Sequence, residues 1–159
     1  MGSGIFWHRE KFMISTTDPK VRITLTVPQA RAMAEALELY MRLGLGQVHM
    51  VSEMVANGSI PIKAGSLTPE MDTIHHVTAI CNEIRRELGF LPGESYGVGN
   101  RAVSDKAHRA YEIEKVVKKA LAMHDDPNPA FRGVDYDGLT VRYMDDPAPV
   151  CVIGEGAIP

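Results

Sequence analysis

Between Ala30 and Leu121 the apolar residues return every three or four positions in four separate runs, and each run stops at a glycine or at closely spaced prolines. That spacing fits helices with one buried face, because 3.6 residues complete a turn. The first run is Ala30, Met33, Ala34, Leu37, Tyr40 and Met41. It follows Pro28, which suits a first helical turn where no N–H is needed, and ends at Gly44. A short second helix is predicted over Leu45 to Asn57, with Val48, Val51 and Val55 on one face and Gly58 closing it. Thr68-Pro69-Glu70 supplies a cap, a first-turn proline and an early acid for a third helix that runs to about Leu88. Its buried stripe is Met71, Ile74, Val77, Cys81, Ile84 and Leu88, and Gly89 stops it. Ser104-Asp105 caps a fourth helix with Ala107, Tyr111, Ile113, Val116, Val117, Ala120 and Leu121 as apolar positions, before Pro127 and Pro129 break the pattern.

The period changes at both ends. Lys20 to Val27 alternates polar and apolar residues, as a half-buried strand does. Val134, Tyr136, Leu139, Val141 and Tyr143 flank Asp137-Gly138, a favoured two-residue hairpin turn, and Val150 to Ile153 could add an edge strand. The expected fold class is therefore α+β: about four helices packed on a small antiparallel sheet made from the N-terminal strand and the C-terminal hairpin. In this 159-residue chain, residues 1–12 read as an extension or arm and residues 13–159 as a single domain.

A formal net charge of -3 argues against duplex nucleic acid as partner, and no apolar run approaches the roughly 20 residues that cross a bilayer. The two cysteines, Cys81 and Cys151, lack zinc-ligand spacing and read as reduced thiols of a cytoplasmic protein. His75 and His76 point about 100° apart on a helix, so no metal site is expected. Neither G-x-S-x-G nor H-E-x-x-H occurs, and His76-Val77-Thr78 appears once where a phosphodiesterase would want a pair. No catalytic residue and no cofactor is assigned. Glu83, Glu87, Glu112 and Glu114, beside Arg85, Arg86, Lys115 and Lys118, read as solvated ion-pairing faces.

Gly93 to Arg101 is the most unusual stretch. Its glycines let backbone amides converge, Tyr96 offers a stacking face, and Asn100 and Arg101 add donors. Arg109 adds charge in the first turns of the next helix, where the helix terminus favours anions. A plain helix-to-helix loop explains the glycines equally well, since Gly97-Val98-Gly99 follows no strand and lacks the third glycine of a dinucleotide fingerprint. Arg42 and Gln47, around the Gly44–Gly46 junction, are weaker candidates that gain weight if that junction lies near Tyr96. Met50 and Met54, with Val48, Val51 and Val55, give the second helix apolar residues on two sides, which suggests a homo-oligomer interface.

Two stretches, 36–47 (Ala-Leu-Glu-Leu-Tyr-Met-Arg-Leu-Gly-Leu-Gly-Gln) and Ser95-Tyr96-Gly97-Val98 with Val103-Ser104-Asp105-Lys106-Ala107 and Ala110-Tyr111-Glu112-Ile113, resemble small uncharacterised bacteriophage proteins. The resemblance covers roughly Val21 to Leu121. Some small phage proteins counter host defence as oligomeric sponges for nucleotide signals, so it implies a non-catalytic oligomer that sequesters a small anionic nucleotide. In that expectation Tyr96 stacks on a base, Gly97, Gly99, Asn100 and Arg101 hold phosphate, and Arg109, Arg42 and Gln47 assist. The alternatives are a protein-binding inhibitor or adaptor acting through the Met-bearing helices, and a small nucleotide hydrolase.

Overall fold

The computed structural model describes residues 19–63 and 71–154. Helix α1 spans Val27–Gly44, α2 Met50–Ala56, α3 Met71–Glu87 and α4 Asp105–Asp125, and a 3-10 turn occupies Val134–Tyr136. Among the described residues there is no strand, so the expected α+β fold with its antiparallel sheet is corrected to a helical one. The proposed arm at residues 1–12 and the Thr68-Pro69-Glu70 cap lie outside the described residues.

Each expected strand fails for its own reason. Lys20–Thr26 meets no second strand, and Val21 and Ile23 are 87% and 66% exposed. Val27, already the first residue of α1, packs in the core. Asp137-Gly138 does bend the chain, with Gly138 at a φ of +67°, but it closes the 3-10 turn through the Asp137 N–H donating to the Val134 carbonyl. A Cβ on Gly138 would fall 2.5 Å from Cδ of Lys119, so the glycine admits a helix side chain there and joins no pair of strands. Val150–Ile153 keeps its alternation, with Cys151 and Ile153 packed against α1 and α4 while Val150 and Val152 face solvent. Its partners are helices, so it needs no ladder.

Helix α1 begins with a capping box: the Thr26 hydroxyl accepts from the Gln29 N–H at 3.4 Å and the Gln29 side chain accepts from the Thr26 N–H at 2.9 Å. Its other end stops at Gly44, as expected, with Leu45 as its cap. Gly46, at φ +82°, donates to Leu43, and Gln47 donates to Arg42, which closes the helix with a left-handed residue. The residues spent on that turn delay α2 to Met50, against the expected Leu45. Helix α3 ends the same way at Gly89.

Helices α1 and α4 run antiparallel, as three pairings along their length show. Arg31 meets Asp125 at 2.6 Å, Glu38 meets Lys118 at 2.6 Å, and a Cβ on Gly44 would stand 2.7 Å from that of Ala107. Small residues at that end bring the backbones close. The seam is filled by Met41, Leu45, Ala107 and Ala110 in one cluster and by Ala34, Val117 and Leu121 in the other. Burying one such leucine contributes about 1.5–3 kcal/mol.

Between the two clusters lies a charge network, where exposed ion-pairing faces were expected. Glu114 is 1% exposed and takes Lys118 at 2.8 Å, and Lys118 in turn reaches Glu38, which also holds Arg42 at 2.6 Å. Burial opposes ionisation of Glu38, yet its hydrogen bonds from Lys118 and Arg42 outweigh it and hold the carboxyl below the usual range. Burial likewise opposes charge on Lys118, and Glu114 and Glu38 together raise its pKa. Lys118 and Glu38 keep 22% and 26% of their side-chain surface, so solvent screens their attraction and losing one member costs well below the about 3–5 kcal/mol of a fully buried pair.

Helices α2 and α3 form a second, smaller pairing. Helix α2 also touches α1, whereas α3 packs on neither α1 nor α4.

Candidate functional site

The junction after α1 and the glycine-bearing loop do meet. The Tyr96 N–H donates to the Leu45 carbonyl at 2.9 Å, and the Gln47 amide donates to the Ser95 hydroxyl at 3.5 Å. Phe90 lies over Gly46, where a Cβ would strike its ring at 2.4 Å, and meets the Tyr96 ring edge to face at 5.1 Å. This fixes the loop's base. Its far end is pinned by His108, whose Nε2 donates to the Val98 carbonyl at 2.7 Å while its ring stacks on Tyr143.

The eight residues expected to hold an anion are divided by these contacts. Arg42 is engaged by Glu38 and donates to Gln47 at 3.1 Å, so both side chains serve the junction. The Asn100 side-chain Oδ1 accepts from the Ala102 N–H at 2.9 Å and shapes its own turn. Arg109 is paired with Asp146 at 2.5 Å. Gly99 gives way to the Tyr143 ring, whereas a Cβ on Gly97 would meet nothing. Tyr96 and Arg101 remain exposed, and Arg101 makes no hydrogen bond or ion pair among the described residues. The arginines thus do not converge on one point.

A larger concavity lies elsewhere, between α1 and α2, with a volume of about 630 Å³. Ala32, Ala36 and Leu39 from α1 face Met50 and Met54 from α2 across it. Its charges are mainly acidic. Glu35, Glu38 and Glu53 stand against Arg42 and His49, and Arg42 is already matched by Glu38. Glu35 has no ion pair among the described residues, and Glu53 has only a 3.8 Å approach to His49. The groove therefore offers adaptable thioethers within a negative rim.

No family model, curated protein or solved structure matches this chain.

Sequence reasoning missed two acids that the structure buries. Glu112 is 2% exposed and accepts from the Tyr143 and Met144 N–H groups at 2.7 and 2.9 Å, which fastens the C-terminal segment to α4. Glu114 was legible in principle, because Ala107, Ala110, Glu114, Val117 and Leu121 form one unbroken three-and-four seam. Arg85 is also buried and donates to the Glu94 carbonyl, although its sequence neighbours Arg86 and Glu83 form the exposed pair expected of them. His75 and His76 are exposed, and no group of three or more potential metal ligands gathers among the described residues. No described helix is long and apolar enough to cross a membrane.

Proposed function

We propose that this protein acts by binding another protein, taking a basic amphipathic helix into the groove between α1 and α2. The observation that carries this reading is the pairing of Met50 and Met54 with an excess of carboxylates around the same groove. Methionines repack around differently shaped apolar side chains, and Glu35 and Glu53 would meet lysines or arginines flanking the partner's apolar face. Helix-in-groove recognition needs no catalytic group, and we take the cytoplasm as its setting. Met54→Glu should weaken capture of a bacterial host partner by at least about tenfold, since a charge would enter the centre of the contact. Binding compared by pull-down and titration with the partner so identified checks this, with the melting temperature as a control for folding. Undiminished capture by Met54→Glu, or a requirement for Arg101, would overturn the reading.

A second reading is sequestration of a small anionic nucleotide at the Tyr96 loop, the role implied by the resemblance to phage proteins. One observation favours it: Arg101 is uncommitted and lies five residues beyond the exposed Tyr96, on a loop held at both ends. Stacking on a base is worth about 1–3 kcal/mol, so Tyr96→Ala should cost about one to two orders of magnitude in affinity for such a ligand. The absence of any thermal shift with cyclic dinucleotides and ADP-ribose derivatives would remove this second reading and leave the first untouched.

A further inference from the structure

Near the end of α3 a buried arginine lacks a counter-charge. Arg85 is 8% exposed, and among the described residues no carboxylate lies within ion-pair distance of its guanidinium. Charges taken into a protein are normally matched, because giving up hydration is costly. Among the described residues Arg85 makes one hydrogen bond, from Nη2 to the neutral Glu94 carbonyl, while its Nε is shut off from solvent and donates to nothing. Acids close by in sequence are turned elsewhere. Glu83 approaches Arg86 at 3.7 Å, and the Glu94 carboxylate accepts from the Leu91 N–H at 2.8 Å.

Arg85 lines a cavity of about 260 Å³ together with Asn82, Arg86, Phe90, Leu91 and Pro92. Two kinds of surface meet there. Arg85, Arg86 and Asn82 supply donors, and the Asn82 side chain has no partner among the described residues. Phe90, Leu91 and Pro92 supply an apolar wall, with Leu91 69% exposed. That wall is held in place: Phe90 lies on Gly46 and against the Tyr96 ring, and the turn through Gly93, at φ +78°, returns the Glu94 N–H to the Leu91 carbonyl at 3.0 Å.

A ligand that satisfies both surfaces carries one negative charge and a compact apolar body. A carboxylate matches the planar guanidinium fork, and because the arginine charge is delocalised, contact at a terminal nitrogen neutralises the whole group. The cavity falls below the roughly 300–1,000 Å³ of drug-sized sites, which limits the body to about one ring. A bare phosphate would leave the Phe90 and Leu91 wall uncovered.

We propose that the cavity between the C-terminal turns of α3 and the turn at 90–93 binds a small organic monocarboxylate, whose charge neutralises Arg85 and whose apolar body rests on Phe90 and Leu91. Asn82 and Arg86 donate to the same carboxylate. The site shares no lining residue with the α1–α2 groove and includes none of the anion-binding candidates around Tyr96 and Arg101, so it goes beyond both readings above.

Benzoate is the probe, titrated into the full chain at constant ionic strength while NMR follows the Arg85 Nε–H and Asn82 amide resonances. Both should shift along one saturating curve with a dissociation constant of about 1 mM or lower. Benzyl alcohol keeps the ring without the charge, and inorganic phosphate keeps charge without the ring; each should bind at least about tenfold more weakly. Arg85→Met should lower benzoate affinity by at least about tenfold, with circular dichroism reporting whether it folds. Should it lose its helices, Asn82→Asp gives the same test with Arg85 in place, because the introduced carboxylate supplies the counter-charge from within and repels the ligand. No resonance shift up to about 20 mM benzoate, either control compound binding as tightly as benzoate, or undiminished affinity in folded Arg85→Met or Asn82→Asp would each overturn the proposal.

Discussion

The α1–α4 pair and the α2–α3 pair are built from the same kind of amphipathic helix, but they close differently. Where α1 meets α4, each helix covers the other from Arg31 and Asp125 at one end to Gly44 and Ala107 at the other, and charges enter the seam only as a matched network. Where α2 meets α3, seven residues are set against seventeen and the apolar stripe at Ile80, Ile84 and Leu88 stays in solvent. The first pair keeps the chain folded. The second lies outside both apolar clusters and adds Val55 and Cys81 as its own buried apolar residues.

The contrast can be broken most directly by equal truncations in the two regions. Leu121→Ala, in the α1–α4 seam, should cost about 3 kcal/mol of unfolding free energy, whereas Ile84→Ala should cost under about 0.5 kcal/mol. Similar losses in urea unfolding would show that α3 is part of the core. Thr26→Ala should cost about 1 kcal/mol by removing one half of the capping box, and Gln29→Ala a comparable or smaller amount. A loss in global stability would confirm that α1 belongs to the cooperative unit, since fraying of an independent helix would not shift the main transition.

The smallest effect sharpens the electrostatic side. Glu38 has a folded pKa below its unfolded value, so its contribution is fully present above the unfolded pKa and disappears as pH falls through the folded one. Lys118 has the opposite sign, with a contribution present below its unfolded pKa and lost as pH rises through the raised folded value. The α1–α4 pair should therefore hold its stability through the neutral range and lose some at both extremes. Glu38→Gln should flatten the acid limb of melting temperature against pH, and an unchanged acid limb would remove Glu38 from the network.

Much of the helical part was legible in the sequence, and the sheet was not there to be read. Three- and four-residue spacing located α1, α3 and α4 because it tracks which side of a helix meets the core, although Ile84 and Leu88 show that an apolar stripe need not be covered. Alternation at Val150–Ile153 correctly signals an extended segment with one inward face, but that pattern says nothing about whether the neighbour is a strand or a helix. Among the candidate site residues, sequence could nominate Tyr96 and Arg101 by type. It could not foresee that Asp146, 37 residues away, occupies Arg109, because a local pattern does not encode a long-range partner. Glu38, one turn before Arg42, was a legible i,i+4 partner that the candidate list passed over.

Glu112 gives the C-terminal segment a role that its irregular backbone conceals. With two main-chain donors from Tyr143 and Met144 as its direct hydrogen bonds, this carboxylate makes the stretch after α4 a plug, and cutting the chain before Tyr143 would remove both donors and open Glu112 to water. Deletion back to α4 would also take away the Tyr143 ring on which His108 stacks, and so loosen the loop that carries Tyr96.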